Sequence, residues 1–178
     1  LYHWMYTNPP NSERGSGALA VVAATGNLAL LREVHRFMAY AFSKDACHAA
    51  AEEGHLACLQ YLVQSNCVMT PDCCEVAALN GHFDCLKFLY DARCSWDDAK
   101  MSAAVTTSKS NKLSIVTFLR EHGCPFSLNF VNASIDNVAC LRYALDNGAS
   151  VSEDSCLQAV ANTNASLGCL QLLHEHNS

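Results

Sequence analysis

The residues of this 178-residue chain with the most chemistry to offer are its eleven cysteines and eight histidines. Zinc sites built from them show a close cysteine pair plus a second ligand pair. The one close pair here is Cys73-Cys74, and adjacent side chains diverge on a helix. Ten cysteines fall instead into recurring columns: Cys47, Cys74 and Cys156; Cys58, Cys85, Cys140 and Cys169; Cys67, Cys94 and Cys124. Met101, Ile115 and Ala149 stand in the same columns. Exchange with apolar residues marks these thiols as small buried hydrophobes, and neither a metal nor a cofactor is expected. His55 and His82 each follow a glycine at the same place in a repeat, which suits hydrogen bonding to a turn better than catalysis. His174-Glu175-His176 lacks the i, i+4 spacing of a helical zinc motif. Asp97-Asp98 is better explained by helix capping than by a carboxylate dyad. No phosphate loop, nucleophile elbow or nucleophile–base–acid spacing is present, so no catalytic residue is assigned.

The columns themselves come from a repeat. Ser43 to Met69 aligns without gaps on Thr70 to Trp96, with Gly54 and Gly81, His55 and His82, Cys58 and Cys85, and Cys67 and Cys94 each 27 residues apart. Weaker copies flank them, giving six units: 18–42, 43–69, 70–96, 97–126, 127–151 and 152–178. Ser43, Thr70, Asp97, Ser127 and Ser152 offer an oxygen to the first amides of a helix. Pro71 stands where a helix tolerates a missing N–H. Acidic residues at Asp45, Asp72, Asp98 and Glu153 suit the positive end of the helix dipole. An apolar residue precedes each cap (Phe42, Met69, Trp96, Phe126, Val151), a ladder for packing one repeat on the next. Ala50-Ala51 and Ala77-Ala78 allow close approach of a neighbouring helix. Gly54 and Gly81 then end the first helix in a left-handed turn. Leu56, Leu59, Leu62 and Val63 recur at near-helical spacing and predict a second helix. Each unit thus reads as cap, helix, glycine turn, helix, loop. Residues 106–112 lengthen the fourth unit, and the fifth unit has lost its Gly-His and is shortened.

These residues resemble ankyrin repeats. Ala50-Ala51-Glu52-Glu53-Gly54-His55-Leu56 and Ala77-Ala78-Leu79-Asn80-Gly81-His82-Phe83 are similar to the family's A-A-x-x-G-H-L core, and Asp146-Asn147-Gly148-Ala149 to its closing x-x-G-A. The family's period is about 33 residues, whereas the cap column here steps by 27, 27, 30 and 25. The missing residues fall where the family builds a β-hairpin finger, so short turns are expected there. Among ankyrin repeats the chain resembles the short, Cys-rich variety of protists and large DNA viruses. The resemblance implies an all-α, ankyrin-like helix-turn-helix repeat solenoid over residues 18–178. It also implies a protein-binding scaffold that uses the concave and turn faces, either alone or as the substrate-recognition arm of a larger assembly. A thiol-rich metal or redox protein is the rival of another class.

The positions between the alanine pair and the glycine need not pack, and they differ from unit to unit: Glu52 and Glu53, Leu79 and Asn80, Thr106 and Thr107. A constant frame with variable positions is what recognition of a partner requires. Trp96 joins them as an aromatic anchor, although its column with Met69 and Val151 favours packing. Hydrophobic residues are 51% of the chain and charged residues 16%, a composition that folds. A net charge of −6 disfavours nucleic acid as partner. No run approaches the ~18 apolar residues of a membrane span. An odd cysteine count without a secretion signal suggests reduced thiols. A monomer in the cytoplasm or nucleus is therefore expected. Because residue 1 is Leu, a piece of a longer chain is expected too. Residues 1–17 read as an aromatic segment (Tyr2, Trp4, Met5, Tyr6) that covers the first repeat, followed by a linker from Asn8 to Gly17.

Overall fold

A computed structural model describes residues 12–38, 44–98, 100–101, 104, 112–124, 128–135, 137–161 and 167–176. Every regular element among them is an α-helix, and no strand occurs among the described residues. The helices come in pairs: α1 (Ser12–Ala24) with α2 (Leu28–Met38), α3 (Lys44–Glu52) with α4 (Leu56–Gln64), and α5 (Pro71–Asn80) with α6 (Phe83–Asp91). Then follow α7 (Lys112–Glu121), α8 (Leu128–Ala133) with α9 (Val138–Asp146), and α10 (Glu153–Ala161) with α11 (Leu167–His176). Helical residues at Asp98, Lys100, Met101 and Ala104 stand where a helix preceding α7 is expected. The chain divides into two compact units, residues 1–95 and 96–178.

In the first unit the first helices of the repeats pack in succession, α1 on α3 on α5, and the second helices do the same, α2 on α4 on α6. The reason lies in side-chain size. Ala46, Ala50, Ala51, Ala77 and Ala78 are fully buried, and a methyl group lets helix backbones come close without a void. Leu59, Leu62, Leu86 and Leu89 from the second helices fill the space between the layers. The loops from the second helix to the next cap are short irregular segments at 67–70 and 94–97. The hairpin fingers that the shorter period removes are absent there.

The second unit repeats the scheme with larger side chains. α7 packs against α9 and α9 against α11, while α8 packs against α10. Val131, Ile135, Leu141, Leu145, Ala159, Cys169, Leu172 and Leu173 form one buried cluster, with Val151 packed against it. In the shortened fifth unit, α8 has only six residues. Its missing Gly-His is replaced by Asn137, whose side chain accepts the Cys140 amide at 3.1 Å and starts α9.

The cap column is chemically mixed. Asp97 accepts the Lys100 amide at 2.9 Å, and Ser152 accepts the Ser155 amide at 3.2 Å. Thr70 occupies the N-cap of α5 without a side-chain bond to an amide, its hydroxyl lying 3.6 Å from the Cys73 sulfur. Ser43 and Ser127 lie outside the described residues. In the ladder that precedes the caps, Met69, Trp96 and Val151 are half-buried, and Phe42 and Phe126 lie outside the described residues.

One expectation fails. Residues 12–17 are not a linker, because α1 begins at Ser12. Gly15 and Gly17 each weaken a helix by only about 1 kcal/mol. Burial of Leu19 and Ala23 on the same helix holds the turn before them in register. The aromatic segment at residues 2–6 lies outside the described residues.

Candidate functional site

The turn between the two helices of a repeat is where the sequence concentrates both its constants and its variables. Gly54 and Gly81 adopt φ of 76° and 80°, where a Cβ is costly. The His82 amide reaches back across Gly81 to the Ala77 carbonyl at 2.8 Å, and the His55 amide reaches the Ala50 carbonyl at 2.9 Å. This closure satisfies the last carbonyls of the first helix.

The two histidine rings do something more. His55 Nε2 lies 3.0 Å from the carbonyl oxygen of Ala24, and His82 Nε2 lies 3.0 Å from that of Glu52. A carbonyl oxygen only accepts, so Nε2 carries the proton in both rings. Each histidine therefore ties its own turn to the end of the first helix in the preceding repeat. The rings stand directly over the preceding glycines. A Cβ on Gly26 would come within 2.6 Å of the His55 ring, and one on Gly54 within 2.6 Å of His82 Cε1. Gly26 and Gly54 thus leave room for the imidazole of the next repeat.

This frame fixes where the candidate contact residues stand. Glu52 ends α3 and Glu53 follows it in the turn, both exposed. The Glu52 backbone is held by His82, while its carboxylate lies 3.7 Å from His48 Nδ1, one helical turn earlier. Sequence reasoning gave His48 no role, although its i, i+4 spacing to Glu52 was there to be read. Leu79 and Asn80 occupy the equivalent end of α5 and are half-buried. Asn80 Nδ2 donates to the Val76 carbonyl at 3.2 Å. The His82–Glu52 bond brings these two variable pairs onto neighbouring turns of the first unit. Trp96 belongs to the second unit. It is half-buried, donates from Nε1 to Asp98 Oδ1 at 3.1 Å, and meets the edge of Phe118 with centroids 6.3 Å apart. Thr106 and Thr107 lie outside the described residues.

The thiols are interior groups. Ten of the eleven cysteines are buried, and Cys156 is partly exposed. Burial pushes the Cys58 thiol above its ordinary value, and burial with the adjacent Asp84 takes Cys85 up to about 11. Cys124 rises to about 11 from burial and the Asp98 charge. Among the described residues no group of three or more His, Cys, Asp or Glu side chains is placed to hold a metal ion. No helix among them is long and apolar enough to cross a membrane.

Residues 47–90 match the family model for ankyrin repeats (many copies). The match spans the two repeats whose glycine–histidine pairs are described above. Among curated proteins nothing matches the chain.

Proposed function

We propose that this chain is a non-catalytic scaffold whose partner docks on the turn-proximal ends of the first helices, a reading supported by the match of residues 47–90 to ankyrin repeats, a family whose members generally mediate protein–protein interaction. The observation that carries this reading is the contrast at one repeat position. The backbone of Glu52 is fastened to the next repeat through His82, while its side chain and that of Glu53 project into solvent. The equivalent positions one repeat on are Leu79 and Asn80. A rigid frame presenting unlike side chains is a recognition surface with little ordering cost on binding.

The two exposed carboxylates suit lysine or arginine side chains of the partner, and Leu79 supplies apolar contact beside them. In this reading Asn80 belongs to the same face, and Thr106, Thr107 and Trp96 are further contact positions by their place in the repeat. The protein acts as a monomer in the cytoplasm or nucleus, with no nucleic acid, membrane or cofactor.

Affinity capture tests the proposal. Wild type is compared with a variant carrying Glu52→Lys, Glu53→Lys and Leu79→Ser, both shown to be helical by circular dichroism. The variant is expected to lose proteins that the wild type retains. An identical set of captured proteins would rule out this face.

A further inference from the structure

The sixth repeat turns outward a face that the second and fifth repeats keep covered. Cys47 and Ala51 stand four and eight residues after the cap Ser43, Val131 and Ile135 four and eight after Ser127, and Cys156 and Val160 four and eight after Ser152. Cys47, Ala51, Val131 and Ile135 are at most 1% exposed, whereas Cys156 is half-buried and Val160 is 76% exposed. α11 shows the same contrast. Leu59 and Leu141 follow the cysteine of their second helices and are fully buried, while Leu170 follows Cys169 and is half-buried. Leu167 opens α11 exposed, and Leu157 is exposed one turn before Val160. Residues four apart share a side of a helix, so Cys156 and Val160 lie together on α10 with Leu157 beside them.

Within the chain this face is covered by the first helix of the following repeat. Ala159 of α10 joins Val131 and Ile135 in one buried cluster, and Ser155 Oγ donates to Asn132 Oδ1 of α8 at 2.6 Å. Ser155 and Ala159 stand three and seven residues after their cap. The same places hold Ala46 with Ala50 in α3 and Cys73 with Ala77 in α5, all fully buried. The covering side of a first helix is thus a pair of small side chains four residues apart, which lets its backbone approach until the side chains beneath fill the gap.

We propose that Cys156, Leu157 and Val160 of α10 with Leu167 and Leu170 of α11 form a second docking surface, which takes a helical hairpin of a partner protein whose first helix carries small side chains four residues apart. Apolar side chains grouped on one exposed face mark interaction surfaces. This one continues the packing of α10 on α8 by one more step, so the occupant meets it with the pattern that α10 turns to α8. A second copy of this chain is the worse fit. Val22 stands four residues before Gly26 as Ala50 does before Gly54, and valine against Val160 would hold two helices apart. The surface lies on a different repeat from Glu52, Glu53 and Leu79, so either face can fail without the other.

The test uses the full chain and a defined probe. The probe is a fluorescein-labelled peptide of residues 43–54, held helical by a staple between positions 48 and 52, which lie opposite Ala46 and Ala50. Under reducing conditions, fluorescence anisotropy should show saturable binding to wild type, with slowed hydrogen exchange in α10. Val160→Lys and, separately, Leu157→Lys should weaken binding roughly tenfold or more. Both residues are exposed, so both variants are expected to melt as wild type does. The variant carrying Glu52→Lys, Glu53→Lys and Leu79→Ser should bind the probe unchanged. A probe carrying Ala46→Leu and Ala50→Leu should bind weakly or not at all. Absence of saturable binding, equal binding by Val160→Lys, or equal binding of the leucine probe overturns the proposal. So does a dimer of the wild-type chain in analytical ultracentrifugation that Val160→Lys abolishes, since the face would then belong to a second copy.

Discussion

The imidazole of His82 occupies the space above Gly54, with Nε2 bonded at 3.0 Å to the carbonyl oxygen of Glu52. One ring therefore reads the residue before the preceding turn and the glycine within it. His55 stands in the same relation to Ala24 and Gly26. Tandem repeats are held in register by neighbour contacts, and this one is polar and directional where the alanine packing beneath it is not.

Glycine substitutions should separate two costs. Gly148 has φ of 85° and open space where a Cβ would stand, whereas Gly54 has φ of 76° with the His82 ring in the way. Gly148→Ala should cost about 1 kcal/mol from the left-handed backbone alone. Gly54→Ala should cost about 2 kcal/mol or more, because the ring must also swing away and forfeit its bond. Urea denaturation of both variants checks this. Equal losses would remove the histidine from the explanation.

The alanine layer should resist enlargement. Ala77 is fully buried, and Ala77→Leu adds bulk where α5 has a helix neighbour. A loss of about 1–3 kcal/mol is expected from overpacking. A melting temperature equal to that of wild type would contradict the helix register.

Capping should follow observed bonds and not residue type. Asp97 holds the Lys100 amide, while the Thr70 side chain holds none. Asp97→Ala should cost about 1 kcal/mol and speed hydrogen exchange at the Lys100 amide. Thr70→Ala should cost less. The reverse order in thermal melts would sink the assignment.

Alkaline pH should weaken the fold. Cys85 and Cys124 titrate near pH 11 when folded, against an ordinary value of 9.0. Between those values the unfolded chain has released protons that the folded one retains, so stability falls as pH rises. It is fully present below about pH 8. Melting temperatures measured from about pH 7 to about pH 11 should be level at first and then decline, and Cys85→Ala should flatten the decline.

Much of this was readable from the residues because a repeat reports each position several times over. The glycine turn, the paired helices and the buried cysteine columns each rest on two or more copies. What was missed occurs once or depends on distance. Asn27 accepts the Leu30 amide at 3.0 Å and Asn137 that of Cys140, yet asparagine stands where the central repeats carry histidine, so no column announced the caps. The bond from His82 to Glu52 spans 30 residues, and recurrence alone showed that the ring was structural without showing what it held. The start of α1 at Ser12 was hidden by Gly15 and Gly17, which read as linker when seen without the core their helix serves. The candidate contact residues were marked by their variability, and Glu52 and Glu53 stand exposed, but Leu79 and Asn80 are half-buried.

The proposed docking face can be examined most directly with a photo-crosslinking amino acid placed at residue 53, and separately at residue 64. Glu53 is exposed in the turn, and Gln64 is exposed at the end of α4 in the second-helix layer. Irradiation in the cell that makes the protein should yield a covalent adduct with a partner protein from position 53 and none from position 64. Adducts from position 64 alone, or equally from both, would place the partner elsewhere.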